Sequence, residues 1–198
     1  MLLSNDFEVG QPIDKVWAFF GDVPQVAACL PGAELTEDLG DDTYGGGVGI
    51  RMGPVKLEFD GKARILERDD ATKRMVIDAS GADTKGRGQA SMTVTAALTS
   101  VGRGTKVHLE QDLQLSGAAA QYGRGMISDV TTVLMGQFAA NAQQRIDALE
   151  RGETVSATAK PASGLAIGLQ AARMALMRVF RRFFLPYRPA DRPELRSR

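Results

Sequence analysis

Residues 92–115, MTVTAALTSVGRGTKVHLEQDLQL, decide the fold of this chain. Apolar side chains occupy every second position in 92–96 and again in 107–115, where the pattern changes phase at 111–112. The turn signal at 102–104 separates the two runs. Alternation with period two predicts strands that have one apolar and one polar face. The stretch therefore predicts two neighbouring strands of a sheet that has one buried face and one solvent-exposed face.

The same pattern extends outward over residues 33–116. Turn signals rich in Gly, Pro or Asp divide this region into about six strands. These signals lie at residues 40–42, 53–54, 69–72, 81–84 and 102–104. A further strand is predicted near Leu3–Val9, before two short helices, one introduced by Pro12 and one near Val23–Ala28.

Residues 118–151 contain no proline, and their apolar side chains recur at helical spacing. The spacing predicts one long amphipathic helix of roughly 30 residues that stops at Gly152. The predicted order is therefore strand, two short helices, about six antiparallel strands and a long helix. This order indicates an α+β helix-grip fold, in which a curved sheet of about seven strands wraps around the long helix and encloses an apolar cavity.

Several short motifs follow one another along residues 1–150. They are Val-Trp at 16–17, CLPGA at 29–33, Gly-Pro at 53–54 with FDGKA at 59–63, GRGQA at 86–90 and GAAAQYGRGMISDV at 117–130. As an ordered set they resemble the CoxG family of carbon monoxide dehydrogenase proteins. That family belongs to the START/Bet v 1-like (SRPBCC) helix-grip superfamily.

The resemblance implies a noncatalytic accessory protein of a molybdenum-hydroxylase type CO dehydrogenase or a related oxidoreductase. Such a protein would bind a respiratory quinone, menaquinone or ubiquinone, noncovalently in its cavity. It would also link the enzyme to the membrane. The expected partners are therefore the quinone or another long-chain apolar ligand, the enzyme and an anionic membrane surface.

Candidate ligand contacts come from the cavity mouth and its two walls. The loop before the sheet contributes Leu30 and Pro31, and the strands contribute Met52, Phe59 and Met92. The long helix contributes Tyr122, Met126, Val130, Leu134 and Phe138. Ordinary core packing predicts the same pattern for the helix residues, so both interpretations stay open. For Trp17, core packing is the favoured interpretation.

The formal net charge of zero conceals two oppositely charged parts. Residues 1–160 have a net charge of −6, whereas residues 161–198 have a net charge of +6 that comes from eight arginines and two acids. The arginines are interleaved with leucines and phenylalanines. This combination predicts a segment that binds a membrane surface or the groove of a partner protein.

We predict a grip domain over 1–151, a flexible linker over 152–163, an amphipathic basic helix over 164–185 and a disordered end over 186–198. Arginines within the predicted helix disfavour a membrane span, so the helix should lie on the membrane. Its predicted membrane-binding residues are Leu165, Leu169, Arg173, Leu176, Arg178, Val179, Phe180, Arg181, Arg182, Phe183 and Phe184. The alternative is that this helix docks on a protein groove.

Composition argues against several other chemistries. One histidine, His108, and one cysteine, Cys29, leave no basis for a disulfide or a metal centre, and no metal is expected. His108 is predicted to face outward from its strand. The glycine run at 45–49 lacks the spacing of a nucleotide site and predicts a bent strand or room beside a ligand. Nucleic-acid binding is disfavoured because the body is acidic.

Two further functions stay open. A polyketide cyclase or aromatase would need a buried carboxylate or histidine beside Tyr122. Its candidate acids are Asp60, Asp78, Glu110 and Asp112. The other alternative is a membrane anchor with a self-packed core and no ligand. The N-terminal residues lack the features of a secretory signal, so a cytoplasmic protein at the inner face of the membrane is expected.

Overall fold

A computed structural model describes residues 1–52 and 55–153. Its strands form one antiparallel sheet in the order β1-β7-β6-β5-β4-β3-β2. The strands are β1 Leu2–Val9, β2 Ala33–Gly40, β3 Thr43–Met52, β4 Val55–Asp69, β5 Arg74–Asp83, β6 Gln89–Val101 and β7 Gly104–Leu115. The helices are α1 Ile13–Phe20, α2 Val23–Cys29 and α3 Arg124–Glu150, and a 3-10 segment spans Gly117–Gln121.

The predicted element order is confirmed, and two details differ. The expected helix from residue 118 begins instead as the 3-10 segment, and α3 starts only after Gly123, whose backbone is extended. The predicted change of phase in β7 is absent, because β7 pairs with β1 without interruption and Gln111 keeps its inward position at 4 % exposure. The change of phase was predicted because Gln111 is a polar residue within an otherwise apolar row of β7.

Neighbouring strands approach one another closely where β3, β4 and β5 carry glycine. Gly46, Gly61 and Gly81 are neighbours in register. A Cβ atom added to Gly61 would lie 2.0 Å from the Ser80 carbonyl oxygen, and one added to Gly46 would lie 2.5 Å from that of Glu34. Larger residues would force the strands apart, so these positions require glycine for close backbone approach. Within the glycine run at 45–49, Gly46 therefore serves the close approach of β3 to β2.

One end of the grip is closed by a packed core of α1, α2, the last half of α3 and the strands nearest to them. We call this group the closed-end core; its buried members include Val9, Val16, Trp17, Phe19, Phe20, Cys29, Met75, Leu98, Val107, Phe138 and Ile146. The Trp17 indole donates to the Asp70 carboxylate, and the Arg68 guanidinium lies 5.2 Å from the ring centre. The core interpretation of Trp17 agrees with this placement.

The sheet is open, with β1 and β2 as its edge strands. The exposed side chains of β2 include Glu34, Glu37 and Asp38, so this edge is strongly acidic. Apart from residues 152 and 153, the predicted linker, basic helix and disordered end lie outside the described part of the chain. Within the described part, no helix is long and apolar enough to cross a membrane.

Candidate functional site

The inner face of the sheet carries two cross-strand rows with small side chains at their centre. One row runs through Ala63, Ala79, Met92 and Leu113, and the other through Gly46, Gly61, Gly81, Ala90 and Leu115. Alanine and glycine cannot fill the distance between a sheet and a covering helix. The rows therefore leave room under α3, which we call the inner space.

Exposure supports this description of the inner space. Ala79, Met92 and Leu113 point to the inner face but are only half-buried. Within the part of the chain that the structure describes, none of these three residues belongs to the closed-end core or to the other cluster of buried apolar side chains. A self-packed core would bury such side chains almost completely. Solvent-sized space therefore reaches the middle of the inner face.

A second apolar cluster lies at the other end of the grip, which we call the open-end cluster. It joins β3, β4 and the segment around residue 119 to the first half of α3. Its buried members are Leu57, Phe59, Ala119 and Val130, with Val48, Ile50, Ala90, Leu115, Tyr122 and Leu134 packed against them. Four predicted ligand contacts, Phe59, Tyr122, Val130 and Leu134, are thus brought together here.

The remaining predicted contacts fall elsewhere. Leu30 packs against the closed-end core beside buried Pro31. Phe138 lies within that core, in edge contact with Phe7 at 5.8 Å and Phe20 at 6.2 Å between ring centres. These aromatic contacts make Phe138 a packing residue of the closed end.

Met126 is not brought to the inner space. Its side chain is 49 % exposed because it lies in the first turn of α3, outside both apolar clusters of the described residues. The prediction of Met126 as a ligand contact requires a helix that begins earlier and is buried along its whole length. Met52 ends β3, where its backbone pairs with Val55, and its side chain lies outside the described structure.

An ion pair that sequence reasoning missed holds the open end together. The Asp83 side chain is 1 % exposed and accepts hydrogen bonds from Arg87 Nε at 2.8 Å and from an Arg87 terminal nitrogen at 2.7 Å. Arg87 also donates to the Lys56 carbonyl at 2.8 Å, and its own carbonyl accepts from Ala118 at 2.7 Å. The pair therefore connects β4, the turn after β5 and the segment before α3.

The electrostatics of this pair exclude acid catalysis by its carboxylate. The Arg87 guanidinium and the backbone N–H groups of Glu58, Lys85 and Arg87 hold the pKa of Asp83 far below its ordinary value. The group is thus ionised at neutral pH and has no proton to donate. The GRG motif at 86–88 was visible in the sequence, but only the folded chain shows which carboxylate it meets.

The candidate catalytic groups of the cyclase interpretation are turned away from the inner space. Asp60, Glu110 and Asp112 are exposed, and Asp78 Oδ1 accepts from the Thr93 hydroxyl at 3.3 Å on the outer face. His108 also faces outward, with its Nδ1 atom 2.8 Å from Asp6 Oδ1. That carboxylate raises the pKa of His108. The prediction that His108 points outward agrees with this geometry.

Cys29 is buried, and burial raises the pKa of its thiol to about 11. The thiol is therefore protonated at neutral pH and is a poor nucleophile. Within residues 1–52 and 55–153, no group of three His, Cys, Asp or Glu side chains is placed to hold a metal ion.

A groove of about 700 Å³ is lined by outer-face residues of the sheet together with Gly61, Gly81, Ala90 and Leu115 of the second inner row. Alternation along the strands turns its polar lining residues, Lys62, Ser80, Ser91 and Gln114, away from α3. The groove is open to solvent and its lining mixes polar and apolar groups, so it would leave much of a long apolar ligand exposed to water. The inner space remains the better candidate for such a ligand.

Comparison with known sequences decides the family. The profile of the carbon monoxide dehydrogenase CoxG proteins matches residues 6–147, from within β1 almost to the end of α3. The chain belongs to the CoxG family. The expected resemblance is therefore confirmed, and the family describes an accessory component of CO dehydrogenase. A search of curated protein sequences finds no significant match.

Solved structures place this CoxG-family protein among START/Bet v 1-like folds. A conserved protein from Geobacillus kaustophilus is 20 % identical, with a TM-score of 0.67 over 74 % of this chain and 95 % of that one. An aromatase/cyclase from Streptomyces is 14 % identical, with a TM-score of 0.56 over 78 % and 99 % of the two chains. A START superfamily protein from Mycobacterium smegmatis is 12 % identical, with a TM-score of 0.53 over 75 % and 98 %. At these identities the likeness concerns the fold alone.

Proposed function

We propose that this CoxG-family protein is a noncatalytic carrier that binds a respiratory quinone, menaquinone or ubiquinone, in the inner space. It would serve a molybdenum-hydroxylase type CO dehydrogenase or a related oxidoreductase at the inner face of the cell membrane. The observation that carries the proposal is the half-buried apolar face between the closed-end core and the open-end cluster. The accessory role follows the family.

The lining of the inner space suits a flat ring with an isoprenoid chain. Small residues in the two rows leave a slot, and Met92, Leu113 and Leu115 line its sides with hydrocarbon, of which the methionine is the most adaptable. Burial of a long apolar chain stabilises a complex by about 25 cal/mol per Å² removed from water. A carrier of this kind would bring a water-insoluble electron acceptor to an enzyme outside the bilayer.

Membrane attachment is assigned in this proposal to residues 164–185. Arginines near an anionic surface each contribute on the order of 1 kcal/mol, and phenylalanine and leucine side chains insert below the headgroups. The body of the protein has a net charge of −6 over residues 1–160. Repulsion between this body and anionic lipid would leave the grip free to face its enzyme.

Mass spectrometry of organic extracts tests the proposal. The full-length protein and a truncated chain that ends at Gly152 are purified from a host with native quinones, and quinone is measured per mole of protein. Stoichiometric quinone in both samples is the expected result. Quinone in neither would favour a bare anchor or a cyclase-like enzyme, and quinone only with the tail would indicate co-purified membrane lipid.

A pair of neighbouring substitutions locates the ligand. Met92→Trp places a large ring in the inner space, so bound quinone should fall by about tenfold, which corresponds to about 1.4 kcal/mol. Thr93→Trp adds the same ring to the exposed outer face of the same strand and should leave quinone binding unchanged. Equal quinone content in the two variants would place the ligand outside the inner space.

A further inference from the structure

The side of α3 that is turned away from the sheet contains two buried residues. Asp129 is 8 % exposed and Val133 is 6 % exposed. At about 100° per residue, they lie roughly 120° and 80° around the helix from the midline between Val130 and Leu134, the residues of α3 that face the open-end cluster. Their neighbours on this side, Thr132, Gly136 and Ala140, are exposed. The buried pair therefore lies in the middle of an otherwise open helix side.

The described cores do not account for this burial. Val133 is a buried apolar side chain, yet among the described residues it belongs to neither the closed-end core nor the open-end cluster. Met126, 49 % exposed, lies two turns before it on the same side of the helix. Gly136 and Ala140 continue the strip with small side chains that allow a second helix to approach closely. We call Met126, Asp129, Val133, Gly136 and Ala140 the outer strip of α3.

We propose that the outer strip of α3 is the docking surface for the chain's own C-terminal segment, residues 164–185. The segment follows α3 in sequence after the short stretch 151–163. From Glu150 back to Asp129 the helix covers 22 residues, about 33 Å, and the 22 residues of 164–185 would form a helix of the same length. An antiparallel segment would thus run alongside α3 from Glu150 to Asp129, as in an αα-hairpin, and its second half would cover most of the outer strip.

The chemistry of the segment matches the outer strip. Its apolar residues Leu165, Leu169, Leu176, Val179 and Phe183 recur at helical spacing, and the last three would lie level with Gly136 and Val133 in this antiparallel run. An antiparallel run places Arg181 and Arg182 within about one to two turns of Asp129. Charge complementarity supports the pairing, because Asp129 gives the outer strip an acidic group and the segment is rich in arginine.

This docking goes beyond the carrier function. The apolar stripe of residues 164–185 cannot face α3 and the membrane at the same time. The docked and membrane-bound forms therefore exclude each other, and the docked form would keep the stripe out of water when no membrane is present.

Hydrogen exchange measured by mass spectrometry tests the docking on the full chain without lipid or added quinone. We expect slow exchange of peptides from 164–185 in the wild type, and at least about tenfold faster exchange in Val133→Arg, which puts a cation into the outer strip. The matched control is Thr132→Arg, which adds the same charge at an exposed neighbour. In this variant the peptides from 164–185 should exchange as slowly as in the wild type. Equal exchange of these peptides in all three proteins would overturn the proposal.

A second measurement keeps the test decisive if Val133→Arg fails to fold. The peptide 126–137 is compared between the full chain and a chain that ends at Glu153, and we expect faster exchange after truncation because the outer strip loses its cover. Unchanged exchange of this peptide would contradict docking. Neither measurement depends on quinone, so the carrier function and the docking can fail separately.

Discussion

Asp83 shows how one residue sets the geometry of the open end. Its carboxylate joins β5 to Arg87, which in turn reaches β4 and the segment before α3. The depressed pKa means that this carboxylate stabilises the fold above about pH 4, its ordinary titration range, and that the contribution disappears as the pH falls toward the folded-state pKa.

We predict that Asp83→Asn lowers the melting temperature at pH 7 by about 5 °C or more, because Arg87 loses its charged partner. The difference between wild type and variant should shrink as the pH falls below about 4. Thermal unfolding followed by circular dichroism at several pH values provides the measurement. Asp60→Asn, which alters an exposed acid, is the control. An equal loss of melting temperature in both variants would contradict a specific stabilising role for Asp83.

His108 offers a second test at this scale. Asp6 raises its pKa, so the imidazolium should persist above the ordinary value of about 6.5. The stabilisation from the pair is fully present below that value and is lost as the pH rises through the folded-state pKa. An NMR titration of His108 should show Asp6→Asn moving the pKa back toward 6.5. An unchanged titration would mean that the pair does not form in solution.

At the scale of elements, the close approach of β4 to β5 depends on glycine in β4. Gly61→Ala should destabilise the protein by about 1–3 kcal/mol, because its Cβ would overlap the Ser80 carbonyl oxygen. In the chain that ends at Gly152, which lacks the segment proposed to dock on the outer strip, Gly136→Ala should instead stabilise the protein by about 0.5–1 kcal/mol. Urea unfolding measures both, and a neutral Gly61→Ala would show that β4 and β5 can separate at no cost.

The elements also show what the sequence could reveal. Alternation in β6 and β7 was enough to predict the sheet, since side-chain direction in a strand is a local property. The start of α3 was misplaced because an extended glycine interrupts a region that lacks proline. Met126 was misassigned because the apolar pattern does not tell which turn of a helix is covered.

Contacts between residues that are far apart in the sequence could not be predicted from side-chain periodicity. Phe59, Tyr122, Val130 and Leu134 were identified as one group because each lies on a predicted inner face. The ion pair of Asp83 and Arg87 was not identified, because an acid and a base in a turn produce no periodic pattern in the sequence. The inward Gln111 was mistaken for a break in the pattern for the same reason.

At the scale of the whole molecule, the two oppositely charged parts of the chain predict a salt-sensitive attachment. The full-length protein should bind vesicles that contain anionic lipid, and binding should weaken several-fold between about 0.05 and 0.5 M salt because screening shortens the range of the arginine charges. The chain that ends at Gly152 should not bind. Vesicle sedimentation measures both, and salt-independent binding would point to apolar insertion alone.

The acidic edge strand β2 has a consequence for assembly. An open sheet edge is a template on which another copy can add its own strand, the route by which many β proteins aggregate. Here the approaching copy would bring Glu34, Glu37 and Asp38 against the same three acids. Mutual repulsion at this edge should therefore keep neighbouring copies apart even when they are crowded at high local density, so that each grip remains an independent unit.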